Sequence, residues 1–114
     1  MEPTGRHLIL DFWGCDAAAL NDAPALEAAL VRAAEAADGH ILRRVVHAFA
    51  PQGVTGLLLL AESHLSIHTW PERGYAAIDF YTCGTADPSR AEAPLAEALR
   101  PAHIARQLLV RGVR

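Results

Sequence analysis

Apolar residues recur with two different periods along this chain of 114 residues, and the two periods predict its elements. Runs rich in β-branched and aromatic residues, some of them alternating with polar ones, predict strands. These strands cover residues 7–13, 41–49, 54–61, 64–70, 75–83 and 103–111. Apolar residues at helical spacing predict one helix between the first two strands and a second one through Leu95 and Leu99, with Pro94 leaving its first turn undefined.

Signals for a helix start and a helix end frame the first helix. Asp22 has a side chain suited to capping, and Pro24 suits the first helical turn. The pair Asp38 and Gly39 closes the helix, and we expect Gly39 to adopt the left-handed conformation that follows many helices.

The predicted order is β-α-β-β-β-β-α-β, which favours an α+β fold. We expect a two-layer sandwich in which two helices cover one face of a mostly antiparallel sheet. Residues at both odd and even positions along the strands are apolar, and these point to opposite faces of the sheet. The other face must therefore also be buried. In so short a chain, we expect a second copy to cover it.

Composition indicates one globular domain over residues 1–114, because 52% of the residues are hydrophobic. The ten basic residues are scattered and the formal charge is −3, so no basic stripe indicates nucleic acid.

The longest apolar run is too short to span a membrane, and the N-terminus is too polar for a signal peptide. Two cysteines without a CxxC pair fit a reducing compartment, so we expect a soluble cytoplasmic protein.

The sequence contains no lysine. Imine chemistry on a protein usually uses a lysine amine, either as nucleophile or as the anchor of pyridoxal phosphate. This chain cannot anchor that cofactor. If it performs imine chemistry, the protein supplies the carbonyl and the substrate supplies the amine.

The densest cluster of reactive side chains lies in the fourth predicted strand. Alternation places Ser63, Leu65 and Ile67 on one face, and the other face carries His64, Ser66, His68 and Trp70. A polar strand face explains this pattern as well as a reactive site does. A zinc site is disfavoured, because no strand carboxylate or thiolate completes a tetrahedral set of ligands with the two histidines. A Ser-His hydrolase is also disfavoured, because no strand-turn-helix elbow that would expose a nucleophile surrounds either serine.

Four blocks of sequence in register resemble the small prokaryotic S-adenosylmethionine decarboxylases, which are pyruvoyl-dependent proenzymes of the class 1B type. The blocks read GRHLI followed by DFWGC and LND, then FAPQGVTG, then ESHLSIHTWPE, and finally GYAAIDFYTCG. They cover about residues 5–84. The remaining residues match only in their pattern of a helix followed by a strand.

The resemblance implies that the chain cleaves itself between Glu62 and Ser63. An N-to-O acyl shift would move the acyl group of Glu62 onto the Ser63 hydroxyl, and elimination and hydrolysis would then leave a pyruvoyl group. The products would be a β chain, residues 1–62, and an α chain, residues 63–114. The covalent pyruvoyl would be the cofactor, with neither pyridoxal phosphate nor a metal, and it would explain the absence of lysine.

The same resemblance assigns roles to individual residues. His68 would remove the proton during elimination, and Thr55 stands where the family usually has a processing serine. Cys83 would return a proton to the substrate after decarboxylation. Substrate-binding residues carried over from the family are Phe49 on the adenine, Glu72 on the ribose hydroxyls, and Leu65 and Ser66 along the adenosine pocket.

The function implied is decarboxylation of S-adenosylmethionine, which yields the aminopropyl donor for spermidine synthesis. The active form would be a homodimer of αβ units, stacked as an αββα sandwich with sites between protomers. An ornithine or arginine decarboxylase on the same scaffold is an alternative, because pyruvoyl chemistry requires only an α-amino acid. A non-catalytic binding module is a further alternative.

Overall fold

A computed structural model describes residues 4–84 and 86–114. Its strands are β1 (Gly5–Trp13), β2 (Ile41–Ala48), β3 (Val54–Leu60), β4 (Ser63–Trp70), β5 (Tyr75–Cys83) and β6 (His103–Arg111). Its helices are α1 (Ala17–Leu20), α2 (Ala23–Ala36) and α3 (Glu92–Leu99), and short 3₁₀ turns cover Pro71–Arg73 and Pro88–Ala91. Within the described ranges, no helix is long and apolar enough to cross a membrane.

All six strands belong to one sheet in the order β2-β3-β4-β5-β1-β6. Every neighbouring pair in this order is antiparallel. The predicted α+β class and the predicted sequence of long elements are confirmed. The short helix α1, which Asp16 caps by accepting a hydrogen bond from the Ala18 amide, was not predicted.

The capping signals for α2 were correct at its start and wrong in one detail at its end. Asp22 accepts a hydrogen bond from the Ala25 amide at 3.1 Å. At the C-terminus, Asp38 and not Gly39 takes the left-handed conformation, with φ of 59°. The Gly39 amide then donates to the Ala34 carbonyl at 2.8 Å, which completes the paired bonds of a Schellman motif. Asp tolerates this conformation because its short polar side chain can bond locally.

The core lies between the sheet and the helices. Alternate strand residues such as Leu8, Leu10 and Phe12 point toward the helices and are buried. The apolar face of α2 packs onto them, with Leu26, Leu30 and Ala33 at 1% exposure or less. Burial of this alternating set fixes the register of each strand, since a shift by one residue would turn these side chains to the other face.

The opposite face of the sheet carries partly exposed apolar side chains. These are Trp13, Val45, Leu57, Leu59, Trp70 and Leu109. The strand registers place Val45 beside Leu57 and Leu109 beside His7, so these residues share one surface. We refer to this surface as the open face.

Candidate active site

The predicted cleavage point lies in a tight hairpin between β3 and β4. Leu60 pairs with Ser63, which leaves Ala61 and Glu62 as a two-residue loop. Glu62 has a φ of 58°, a left-handed conformation that is uncommon for a residue other than glycine. The Ser63 hydroxyl donates back to the Ala61 carbonyl at 3.2 Å, across the Glu62–Ser63 peptide. The predicted nucleophile and the predicted scissile bond are therefore held within one exposed turn.

A cavity of about 160 Å³, which we call the Ser63 cavity, adjoins this turn. Antiparallel pairing places the start of β4 beside the end of β5, so Ser63 and Cys83 both line it. The other lining residues come mainly from the connection after α2, and they include Asp38 and His40. Two of the three predicted catalytic residues thus lie at the same end of the sheet.

The environment of Cys83 keeps its thiol protonated. Partial burial raises the pKa of Cys83 above its ordinary value, and the hydrogen bond and negative charge of Glu62 raise it further. A protonated thiol beside Ser63 can donate a proton, which is the function that the family resemblance predicts for it.

A second cavity, of about 260 Å³, collects four more of the predicted residues, Phe49, Thr55, His68 and Glu72. We call it the His68 cavity. Thr55 pairs directly with His68 across the β3–β4 ladder, and its hydroxyl lies 3.0 Å from His68 Nδ1. Phe49 is 50% exposed, and its ring packs edge-to-face against that of His47, with ring centroids 4.5 Å apart.

The two cavities lie at opposite ends of the sheet. Ser63 and His68 are five residues apart on β4, which corresponds to about 17 Å along an extended strand. By alternation, Ser63 shares the helix-covered side of the sheet with Leu65, whereas His68 lies on the open face. One chain alone does not bring His68 to Ser63.

Leu65 and Ser66 were predicted to line the adenosine pocket, and the structure separates them. Leu65 is fully buried in the core and lines neither cavity. Ser66 lies on the open face beside His68 in a central depression of about 240 Å³. A role for Leu65 through its backbone stays a prediction.

A polar network that the sequence analysis missed crosses three strands of the open face. Asp79 of β5 accepts hydrogen bonds from His7 of β1 at 2.7 Å, from His64 of β4 at 3.0 Å and from Ser66. Partial burial would raise the pKa of Asp79, but the bonds from Ser66, His7 and His64 outweigh it and lower that pKa. The pairing order of the strands creates this network, and no local signal in the sequence indicates it.

This network also corrects the statement that no strand carboxylate accompanies the histidines. Ligand atoms of His7, His64 and Asp79 lie within 4.8 Å of one another, a set that zinc could use. However, Arg111 lies 3.2 Å from Nδ1 of His7. Arg is only a donor, so Nδ1 accepts and Nε2 carries the proton that bonds to Asp79. That tautomer favours a hydrogen-bond network over a metal site.

Three aromatic rings stack across the open face next to the His68 cavity. Tyr75 lies between Trp13 and Trp70, with ring centroids 4.2 Å and 5.3 Å apart. The Tyr75 hydroxyl donates to Asp11 at 2.5 Å, and this bond, together with burial, raises the pKa of Tyr75 to about 12. Tyr75 therefore stays neutral, and its ring position is fixed from both sides.

Comparison with known proteins gives a consistent result. A family model described as S-adenosylmethionine decarboxylase matches residues 6–112, well beyond the motifs that end near residue 84. The S-adenosylmethionine decarboxylase proenzyme of Methanococcus vannielii is 54% identical over 84 residues, which are 74% of this chain and 69% of that protein. The proenzyme of the same name from Bacillus velezensis is 48% identical over 99 residues, 87% of this chain and 79% of that protein.

A solved structure has the same fold. The crystal structure of the adenosylmethionine decarboxylase from Aquifex aeolicus matches with a TM-score of 0.91 and 35% sequence identity. The match covers 100% of this chain and 95% of that chain.

Proposed function

This chain belongs to the S-adenosylmethionine decarboxylase family, and we propose that it decarboxylates S-adenosylmethionine with a pyruvoyl group made from its own Ser63. The observation that carries the proposal is the family match over residues 6–112. The relatives from Methanococcus vannielii and Bacillus velezensis are named as proenzymes, which fits an enzyme that is processed before it acts.

The residues around Ser63 fit a pyruvoyl group. Ser63 follows an exposed two-residue loop, and its side chain lies beside a cavity that a small carbonyl group could enter. The chain has no lysine that could provide another route to the same chemistry. When formed, the pyruvoyl would supply a carbonyl that captures the substrate amine and accepts the electrons released with CO₂.

The chain's own side chains would perform the proton transfers and bind the substrate. Cys83 beside the cleavage point would return a proton to the substrate after CO₂ is lost. His68 would remove a proton during processing, with its ring oriented by the Thr55 hydroxyl at 3.0 Å. Phe49 and Glu72 on the His68 cavity would bind the adenine and the ribose hydroxyls.

We infer that two copies are needed for one complete site. The distance of about 17 Å between Ser63 and His68 in one chain is too long for a proton transfer between them. Two sheets stacked through their open faces, with opposite directions, would place the Ser63 end of one copy near the His68 end of the other. Such stacking would also bury the exposed apolar side chains of that face. Such a pair would be an αββα homodimer with sites between protomers, as the family resemblance predicts.

Denaturing mass spectrometry of the incubated protein tests the cleavage. The expected products are residues 1–62 and residues 63–114, the second with a pyruvoyl end. Ser63→Ala is expected to remain intact and inactive, because it has no hydroxyl to attack the Glu62 carbonyl. A wild-type chain that stays intact with an unmodified Ser63 would contradict the proposal.

Release of CO₂ from S-adenosylmethionine, ornithine and arginine tests the substrate. We expect activity on S-adenosylmethionine only, because Phe49 and Glu72 can bind the nucleoside that the two basic amino acids lack. Activity confined to ornithine or arginine would contradict this assignment while leaving the pyruvoyl chemistry in place.

A further inference from the structure

The Ser63 cavity is lined by a histidine that has no role in the function proposed above. His40, in the connection between α2 and β2, lines this cavity together with Ser63 and Cys83. Its backbone carbonyl accepts a hydrogen bond from the Ala61 amide at 2.9 Å. His40 is therefore tied directly to the two-residue loop that precedes the scissile bond.

The other polar groups around this cavity already have partners. Asp38 forms an ion pair with Arg90 at 3.3 Å. Glu62 is the hydrogen-bond partner of Cys83, whose pKa it raises. The Thr82 hydroxyl lies within hydrogen-bond distance of the Ala86 carbonyl, at 3.3 Å. Among the residues that the structure describes on this cavity, His40 is the one histidine, and it is exposed.

We propose that His40 is the proton acceptor for the first step of self-cleavage, an inference that rests on the proposed function. In this step His40 takes the proton from the Ser63 hydroxyl, and the oxygen bonds to the carbonyl carbon of Glu62. The carbon–nitrogen bond of the peptide then breaks, and the proton passes from His40 to the released amine. The product is an ester with a free amine at residue 63, and His40 returns to its neutral form.

This assignment divides the processing reaction between two histidines. The second step removes the proton from Cα of residue 63 and expels the main-chain carboxylate of Glu62 from the ester. We have assigned this step to His68. His40 comes from the same chain as the scissile bond, whereas His68 would come from the second copy. The acyl shift would then need only one chain, and the elimination would need two.

Two single variants separate the steps, because hydroxylamine cleaves an ester and leaves an ordinary peptide bond intact. His40→Ala is expected to slow cleavage at least tenfold and to stay whole when hydroxylamine is added. His68→Ala is expected to accumulate the ester, which hydroxylamine cleaves between residues 62 and 63. Imidazole added to His40→Ala should restore part of the rate, which a purely structural role would not allow. His40→Gln, which keeps a polar side chain but no comparable base, should behave like His40→Ala.

Glu97→Ala is the control, because Glu97 is an exposed residue on α3, away from the open face, and lines neither cavity. It should cleave at the wild-type rate, and circular dichroism should show that all variants are folded. The proposal is overturned if His40→Ala cleaves as fast as the wild type, accumulates the ester, or does not respond to imidazole. A wild-type chain that fails to cleave would instead overturn the proposed function.

Discussion

At the scale of single residues, the contact between Glu62 and Cys83 would couple the proposed cleavage point to the proposed proton donor. Glu62 would provide the carbonyl of the scissile bond in the proposed reaction, and its side chain raises the pKa of Cys83. The same carboxylate thus helps to keep the thiol protonated before the chain is cut.

Replacement of Glu62 by glutamine tests this coupling in the uncleavable Ser63→Ala chain. The amide carries no charge, so the pKa of Cys83 should fall and the thiolate fraction should rise. Alkylation of Cys83 by iodoacetamide at pH 8 should become several-fold faster, since a fall of one pKa unit raises the thiolate fraction about tenfold.

Cys15 must not contribute to this measurement. It is buried, and burial raises its pKa to about 11, so it should react slowly. A chain that also carries Cys15→Ala reports on Cys83 alone. An unchanged or slower reaction of the glutamine variant would mean that Glu62 does not hold the thiol in its protonated form.

At the scale of elements, Thr69 of β4 joins two neighbouring elements beneath the His68 cavity. Its hydroxyl accepts from the Val54 amide of β3 at 2.9 Å and donates to the Leu20 carbonyl of α1 at 2.7 Å. Thr69 is 6% exposed, so water cannot replace these partners without rearrangement.

Thr69→Val removes the hydroxyl and nearly keeps the shape of the side chain. It should lower the free energy of unfolding by about 1–3 kcal/mol, because the buried Val54 amide loses its acceptor. Thr69→Ser keeps the hydroxyl and removes one methyl group, so its cost should be about 1 kcal/mol. Urea unfolding measures both, and equal stability of the valine variant and the wild type would contradict the prediction.

Asp79 joins β1, β4 and β5 through its three donors, and its effect on stability should depend on pH. The pKa of Asp79 is lower in the folded state than its ordinary value, so the network stabilises the protein above that ordinary value. As the pH falls through the folded-state pKa, the carboxylate is protonated and this stabilisation is lost.

Asp79→Asn should therefore cost about 1–2 kcal/mol in the free energy of unfolding at pH 7, and the difference from wild type should shrink in acid. Asp38→Asn is the control, because Asp38 is an exposed carboxylate paired with Arg90. It should change stability by less than about 0.5 kcal/mol. A difference between Asp79→Asn and wild type that does not change with pH would show that the carboxylate charge is not what stabilises the network.

The elements themselves were largely predictable from the sequence, because their signals are local. Alternation and apolar runs predicted the strands to within two residues at every end, and Asp22 marked the start of α2. The left-handed Asp38 was not predicted, since Asp and Gly both tolerate that conformation and Gly39 was the stronger signal. The Asp79 network and the position of His40 were also missed, because both depend on which distant segments become neighbours.

At the scale of the whole molecule, the sequence predicted a sheet with two apolar faces and put Ser63 and His68 on opposite faces of one strand, but it did not give the strand registers. The registers place these residues at opposite ends of one chain's sheet. Shared sites between two copies can be tested by combining two inactive chains.

Ser63→Ala and His68→Ala chains should each fail to form a pyruvoyl group alone. Refolded together, they should produce mixed dimers in which the His68→Ala chain is cleaved to completion, because its Ser63 meets an intact His68 from the other copy. The Ser63→Ala chain should stay whole in the same sample, which provides an internal control. Mass spectrometry distinguishes the chains by mass, and no rescue on mixing would indicate a site within one chain.

The strand order has a consequence for how this enzyme could be made. A cut between Glu62 and Ser63 would leave β1, β2 and β3 in one fragment and β4, β5 and β6 in the other, so three of the five ladders would join the two fragments. The fragments would be interleaved, and neither could leave without dismantling the sheet. Refolding after the cut would be a bimolecular reaction that depends on concentration, whereas folding of the uncut chain would need no second fragment. Activation would therefore be tied to a single passage through folding, with the cut made only after the sheet is complete.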